Sequence, residues 1–274
     1  MKRPEDGDPS DAWAEDGALI SFLAKTAAVV DVELRKLRHD STELLTRAFQ
    51  PVLWLVVFGE VFERFRAVPS GGLSYRAFLA PGILAQSVLF VSIFYGIAVI
   101  WERDLGIVQK LLVTPTPREA LVLGKGLSAG VRGLSQAFII YLLAIVLRIP
   151  LQWSPFSLLG VAVFVALGSA LFSTFSLAVA CLVKTRERFM GIGQIITMPL
   201  FLVSNAIYPI SIMPSWMRTC ARVNPLSYEV DALRALMPQG GSSHFGLGWD
   251  AAVMVSVTAA LVLVTGRLYP RVAA

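Results

Sequence analysis

Residues 101–117, WERDLGIVQKLLVTPTP, form a short charged segment between two long apolar runs. At helical spacing the apolar side chains fall on one face and the polar residues on the other. The two sets are Trp101, Leu105, Val108 and Leu112, and Glu102, Arg103, Gly106, Gln109 and Lys110. The TPTP at 114–117 ends any such helix, because proline lacks an N–H and restricts the residue before it. At a membrane face, a segment of this kind either contacts a soluble partner or lies passively on the lipid.

The composition of the chain is that of an integral membrane protein. Of its 274 residues, 55% are hydrophobic and 16% are charged, whereas soluble domains carry about 25% charged residues. About 20 apolar residues cross a bilayer as a helix. The apolar runs therefore predict an all-α protein with six transmembrane helices, at about 44–62, 78–100, 120–147, 156–183, 190–208 and 246–264. Small residues in the fourth span predict close helix packing; they are Gly160, Gly168, Ser169, Ser173 and Ser176.

The segments before the first span differ in composition. Residues 1–17 are acidic and contain Pro and Gly, which predicts a disordered cytoplasmic tail. Residues 18–40 carry an apolar stripe with basic residues on other faces, which predicts an amphipathic interfacial helix lying in the membrane plane. The alternative is an ordinary cytoplasmic helix packed on the rest of the protein. The transmembrane domain is predicted at 44–268.

The long connection before the last span contains two more helical pieces, at 214–223 and 228–237, separated by Asn224-Pro225. Both have apolar side chains that free solvent disfavours, so we expect outer helices that lie on the membrane surface or re-enter it.

Basic residues give the predicted orientation. The flanks and loops that face the cytoplasm when the N-terminus is inside hold more Lys and Arg than the other loops. Both termini are therefore predicted to be cytoplasmic, in a multi-pass protein of the cytoplasmic membrane. The net charge of +5 reflects these loops rather than binding to nucleic acid.

No catalytic pattern is present in the sequence. Gly124-Lys125-Gly126 lacks the spacing and the hydroxyl residue of a phosphate-binding GxxxxGK[ST] loop, and HExxH, CxxC and GxSxG are absent. The two histidines are far apart in sequence, and Cys181 and Cys220 are predicted near opposite membrane faces. We therefore expect neither enzymatic activity nor a metal or cofactor in this chain.

Two stretches resemble a known family. Residues 102–127, ERDLGIVQKLLVTPTPREALVLGKGL, resemble the loop between the second and third helices of type-2 ABC exporter permeases. Residues 204–237 resemble the outer segment before the last helix of that family, through Tyr208-Pro209, Pro214 with Trp216, the NPLSY at 224–228 and the DALR at 231–234. The similarity is strongest to daunorubicin exporter permeases of the drug-resistance branch.

This resemblance implies a partner and a mechanism. Two permease subunits, forming a homodimer, would pair with two separately encoded ATPase subunits that bind ATP and Mg²⁺. Residues 102–114 would form a coupling helix seated in the ATPase, and 18–40 would form a second contact with it. The implied coupling residues are Glu102, Arg103, Asp104, Leu105, Gly106, Leu111, Leu112, Thr114 and Pro115.

Polar residues within the spans are candidates for a translocation path. They are Gln86, Arg132, Gln136, Gln194, Thr197 and Asn205. Such residues more often hydrogen-bond neighbouring helices. Arg132 is the better functional candidate because an intramembrane charge is costly, although its side chain can also reach the interface.

Several functions remain open at this point. The first is a permease subunit of an ATP-driven exporter of an amphipathic drug, antibiotic or lipid-like molecule. A variant exports a lipid-linked polysaccharide, and another class is a non-transporting membrane anchor or assembly subunit. An ion-coupled secondary transporter usually has membrane-embedded carboxylates and internal repeats. Here we see no repeat, and the acidic residue that we assign to a span is Glu60, near its end.

Overall fold

The computed structural model describes residues 49–65, 72–105, 118–183 and 185–269. The predicted tail at 1–17, the predicted interfacial helix at 18–40 and most of the candidate coupling segment, 106–117, lie outside these ranges.

The described part of the chain is helical. Helix α1 is Gly59–Phe65, and it continues helical residues 49–53 and a π-helical segment, Trp54–Phe58. The other helices are α2 Tyr75–Asp104, α3 Arg118–Val146, α4 Pro155–Leu182, α5 Arg186–Val203, α6 Ser215–Val223, α7 Pro225–Leu236 and α8 Leu247–Leu268. The described ranges contain no strand; Leu151 and Pro238 form an isolated antiparallel bridge.

Polar side chains at the first positions explain where four helices begin. A side-chain oxygen accepts a hydrogen bond from a backbone N–H of the first turn at Ser74, Ser154, Thr185 and Asn224. These bonds satisfy N–H groups that have no partner inside the helix. Proline follows in the first helical position of α4 and α7, where its missing N–H costs nothing.

Four described helices are long and apolar enough to cross a membrane. They are Tyr75–Asp104, Gly124–Val146, Pro155–Leu182 and Leu247–Leu268. They correspond to the second, third, fourth and sixth predicted spans, so a multi-pass all-helical protein is confirmed. The first predicted span is described only from residue 49, and α5 is short and starts with three charged residues. The count of six spans remains a prediction.

Some predicted boundaries are wrong by several residues. Helix α2 continues to Asp104, beyond the predicted end at residue 100. Helix α5 ends at Val203, not at 208, because Ser204 takes an extended conformation and its hydroxyl accepts from the N–H of Ala206. Helix α7 begins at Pro225, not at 228, because Asn224 caps it there.

Small residues bring α4 into close contact with its neighbours, as predicted. Helix α4 packs against α2, α3, α7 and α8. Side chains of α4 and α7 occupy the space that a Cβ would take at glycine: Ser169 faces Gly133, Thr174 faces Gly126, Leu236 faces Gly160 and Glu229 faces Gly168.

The contacts place the chain connections at two ends of the helix bundle. At the Asp104 end, Arg186 contacts Asp104 and Arg103 reaches the carbonyl of Val183. At the Tyr75 end, the phenol of Tyr75 donates to the carbonyl of Ile207. Backbone hydrogen bonds at 2.7–3.0 Å also join residues 150–152 to residues 237–239. The connections thus alternate between ends in the predicted order.

The two short helices before the last span differ in burial. Helix α6 exposes Trp216 and Val223. Helix α7 is buried along nearly its whole length, and it packs against α2, α4 and α8. It is therefore part of the bundle rather than a surface helix.

Candidate functional site

A buried ion pair joins the ends of α2 and α3. Lys125 Nζ donates to Glu102 Oε2, and the two residues are 3% and 9% exposed. A small apolar cluster that includes Val99, Val122 and Tyr269 forms next to the pair. Burying two charges is costly, and their pairing offsets part of that cost.

A second charged group lies on the surface next to this pair. Arg186 Nη2 donates to Asp104 Oδ2 at 2.7 Å, and Arg103 Nη2 donates to Asp104 Oδ1 at 3.1 Å. The guanidinium of Arg186 stacks on the ring of Trp101, with 3.5 Å between the guanidinium carbon and the ring centre. These contacts link the end of α2 to the start of α5.

The candidate coupling residues therefore occupy different environments. Glu102 is directed into the protein, whereas Asp104 and Leu105 are exposed. Gly106, Leu111, Leu112, Thr114 and Pro115 lie outside the described residues. The structure defines where the segment is attached, and contact of its residues with an ATPase remains a prediction.

Two of the candidate path residues line one cavity. This cavity has a volume of about 280 Å³ and lies between α2, α3 and the helical residues 49–53 that lead into α1. Its lining residues are Gln50, Pro51, Gln86, Ser87, Phe90, Val91, Phe94 and Gln136. The side-chain nitrogens of Gln86 and Gln136 are buried and have no hydrogen-bond partner among the described residues. The rings of Phe90 and Phe94 are stacked, with centres 6.5 Å apart.

The other candidate path residues are elsewhere. The guanidinium of Arg132 lies 5.5 Å from the ring centre of Tyr95. On α5, Gln194 is exposed, and the hydroxyl of buried Thr197 donates to the carbonyl of Gly193. Asn205 is buried at the Tyr75 end. The six residues therefore do not line a single path within the described structure.

A second polar cavity of about 420 Å³ lies at the Tyr75 end, and Asn205, Asp231 and Arg234 line it. Arg234 Nη2 donates to the carbonyl of Asn205 at 2.7 Å, and its guanidinium carbon lies 3.9 Å from the ring centre of Phe78. Burial lowers the pKa of Arg234 to about 10, so the group stays charged at neutral pH. The DALR element in the sequence contains this pair of charges but does not indicate that they line a cavity.

Two buried carboxylates were missed in the sequence. Glu60 lies near the end of its span as predicted, and it pairs with Arg64 and Arg76 at the surface. Asp250, inside the last predicted span, and Glu229 of α7 are 0% exposed. Neither oxygen of Glu229 has a hydrogen-bond partner among the described residues, and burial raises its pKa well above the usual range. The prediction that Glu60 is the only acidic residue within a span was wrong, because Asp250 lies in the last one.

Comparison with known proteins decides the family. Residues 25–237 match the family model described as ABC-2 type transporter. The chain belongs to the ABC-2 type transporter family. The charged end of α2 and the two cavities are thus features of an ABC-2 permease, a membrane transport component.

Individual relatives agree with this assignment. The chain is 30% identical to the "Putative transport permease ycf38" of Cyanophora paradoxa over 219 residues. The aligned residues cover 78% of this chain and 74% of that protein. It is 25% identical to the daunorubicin resistance ABC transporter permease protein DrrB1 of Streptomyces coeruleorubidus over 237 residues. The aligned residues cover 85% of this chain and 81% of DrrB1. It is 25% identical to the inner membrane transport permease YadH of Escherichia coli K12 over 191 residues. The aligned residues cover 66% of this chain and 70% of YadH.

Proposed function

We propose that this ABC-2 permease is the membrane subunit of an ATP-driven exporter of an amphipathic drug, antibiotic or lipid-like molecule. Two copies form a homodimer in the cytoplasmic membrane with both termini inside. Two separate ATPase subunits bind ATP and Mg²⁺ and supply the energy. Similarity to a daunorubicin resistance permease supports the drug class of cargo.

The buried Glu102–Lys125 pair carries this proposal. It fixes the start of the candidate coupling segment to α3 as well as to α2, while Arg186 adds a link to α5. A displacement of residues 102–114 by an ATPase would therefore move three helices together. Such rigid-body shifts of packed helices are a common way to switch between two states.

The exposed part of the segment fits contact with a soluble subunit. Trp101 is 50% exposed and Leu105 is 67% exposed, next to the charged group around Asp104. Apolar anchors with charges beside them are typical of protein interfaces. The predicted interfacial helix at 18–40 would supply the second contact with the ATPase.

The cavity between α2, α3 and residues 49–53 supports an amphipathic cargo. It combines two glutamine amides with the stacked rings of Phe90 and Phe94. Pockets for small molecules are mostly apolar with a few polar groups that fix the orientation of the ligand. Gln86 and Gln136 are the proposed cargo contacts there.

The function is tested in proteoliposomes that contain the full chain and an ABC ATPase encoded beside its gene. We expect ATP-dependent movement of daunorubicin, and we expect Arg103→Ala with Asp104→Ala to abolish it while ATP hydrolysis continues, because both side chains lie outside the buried Glu102–Lys125 pair. Transport driven by an ion gradient without the ATPase would overturn the proposal. ATP-dependent movement of a lipid-linked polysaccharide but not of daunorubicin would show that the polysaccharide is the cargo. Stable assembly with the ATPase without transport of either molecule would favour the non-transporting membrane anchor.

The cargo contacts have their own test with a matched control. Gln86→Leu with Gln136→Leu should lower daunorubicin transport about tenfold, because two polar contacts are lost. Ser256→Leu makes an exposed polar position of α8 apolar and should leave transport unchanged. Equal transport by the double variant and by Ser256→Leu would exclude the cavity as the cargo site.

A further inference from the structure

We infer that the cavity at the Tyr75 end binds the headgroup of a phospholipid that carries both a phosphate and a primary ammonium group. The cavity, of about 420 Å³, lies between the start of α2, helix α7, and the segments 205–211 and 240–244. This inference does not rest on the proposed transport function.

One wall of the cavity supplies a fixed cation. Arg234 is 7% exposed, and its position is set by the ring of Phe78 and by the carbonyl of Asn205. Its Nε is buried without a hydrogen-bond partner in the described structure. A guanidinium that is held in place and incompletely bonded is well suited to a phosphate group.

The same face of α7 supplies a fixed anion three residues before Arg234. Asp231 is 2% exposed, and its Oδ2 accepts from the hydroxyl of Ser243 and from the N–H groups of His244 and Phe245, at 2.7–2.9 Å. No hydrogen bond to Oδ1 is formed by a described residue. This oxygen is therefore available to an N–H donor from a ligand.

The two charges are neighbours on α7, and Asp231 favours the charged form of Arg234 electrostatically. Arg234 and Asp231 both line the cavity, and the described structure contains no ion pair between them. A simple anion would meet the carboxylate of Asp231, and a simple cation would meet the guanidinium of Arg234. A zwitterion satisfies both side chains, and its ammonium needs N–H groups to bond Asp231.

The surroundings of the cavity favour a lipid as the source of this zwitterion. Trp216 and Trp249 are 62% and 61% exposed, and each follows a cavity segment in the chain. Exposed tryptophans in membrane proteins typically lie at the level of the headgroups. Ser211, Ser242 and His244 at the rim are also exposed, so a headgroup can enter from the side.

Lipid selectivity tests the inference on the full-length protein in detergent. Phosphatidylethanolamine, phosphatidylcholine and phosphatidylglycerol with identical acyl chains are added, and bound lipid is counted by native mass spectrometry. We expect at least tenfold tighter binding of phosphatidylethanolamine, because choline has no N–H and glycerol has no positive charge. Equal binding of the three lipids would overturn the inference. Binding of soluble phosphoethanolamine but not of the lipid would overturn the lipid assignment.

A rim substitution locates the binding in this cavity. Ser242→Phe should fill the mouth and weaken phosphatidylethanolamine binding about tenfold. Ser215→Phe adds the same ring at an exposed position of α6 outside the cavity and should change nothing. Ser211→Phe, at another point of the rim, repeats the test if Ser242→Phe does not fold. Unchanged lipid binding by a folded rim variant would show that the lipid binds elsewhere.

Discussion

At the scale of single residues, the absence of a side chain decides how closely two segments approach. Gly82 of α2 lies against the backbone of Ala206, where an added Cβ would come within 2.8 Å of the Cα of Ala206. Backbone atoms cannot move aside as a side chain can. Gly191 of α5, in contrast, has no atom within 4 Å of the position of an added Cβ.

This contrast gives a prediction for two equivalent substitutions. Gly82→Ala should destabilise the protein by about 1–3 kcal/mol through overpacking. Gly191→Ala should stabilise it by up to about 1 kcal/mol, because alanine favours a helix. Thermal unfolding of both variants in detergent measures the difference. A lower midpoint for Gly191→Ala than for Gly82→Ala would contradict the packing described.

The buried ion pair gives a second prediction at this scale. Lys125→Met removes a salt-bridge partner of the buried carboxylate of Glu102, which should cost about 3–5 kcal/mol of stability. Adding Glu102→Gln removes the charge of that carboxylate, so the double variant should recover most of the loss. Thermal midpoints of the two variants test this, and a double variant less stable than Lys125→Met alone would show that the pair is not coupled.

At the scale of helices, α2 and α5 are joined by apolar packing around Phe189 and by one polar link at their ends. Arg186 provides both the hydrogen bond to Asp104 and the ring contact with Trp101. Exposed ion pairs contribute little to global stability. The link can nevertheless transmit motion, because it connects the end of α2 directly to the start of α5.

Removing this link should affect coupling more than folding. Arg186→Ala should lower transport per ATP hydrolysed by about twofold or more, in the range of ordinary coupling energies, with little change in thermal midpoint. Arg188→Ala, at an exposed position two residues further along α5, is the matched control. The reconstituted complex provides the measurement, and equal coupling in the two variants would exclude a role for the link.

At the scale of the whole molecule, the contacts fix which connections share a side. The connection at 147–154 and the segment at 237–241 are joined by backbone hydrogen bonds, whereas Arg186 lies at the Asp104 end. Contacts within the protein cannot tell which side faces the cytoplasm. The basic residues of the loops supply that part of the prediction.

Topology reporters test both parts together. Reporters inserted at Ser154 and Ser242 should be active outside, and one at Thr185 should be active inside. Opposite sides for Ser154 and Ser242 would contradict the fold. Reversal of all three reporters would leave the fold intact and overturn only the orientation.

Sequence patterns were sufficient where the physical cause is local. The four helices that are long and apolar enough to cross a membrane follow from runs of apolar residues. The motif in 102–127 also indicated the family that the comparison confirmed. The pattern could not separate protein-facing from lipid-facing sides, since both are apolar in α2.

The sequence by itself determined an apolar helical membrane protein and its family. Only the tertiary structure decided that Glu102 turns inward to Lys125, that α7 is buried, and that Asp231 and Arg234 face one cavity. Each of these depends on a partner from a different helix or loop. Local propensity acts over a few residues, whereas burial of a charge depends on which distant segments pack around it.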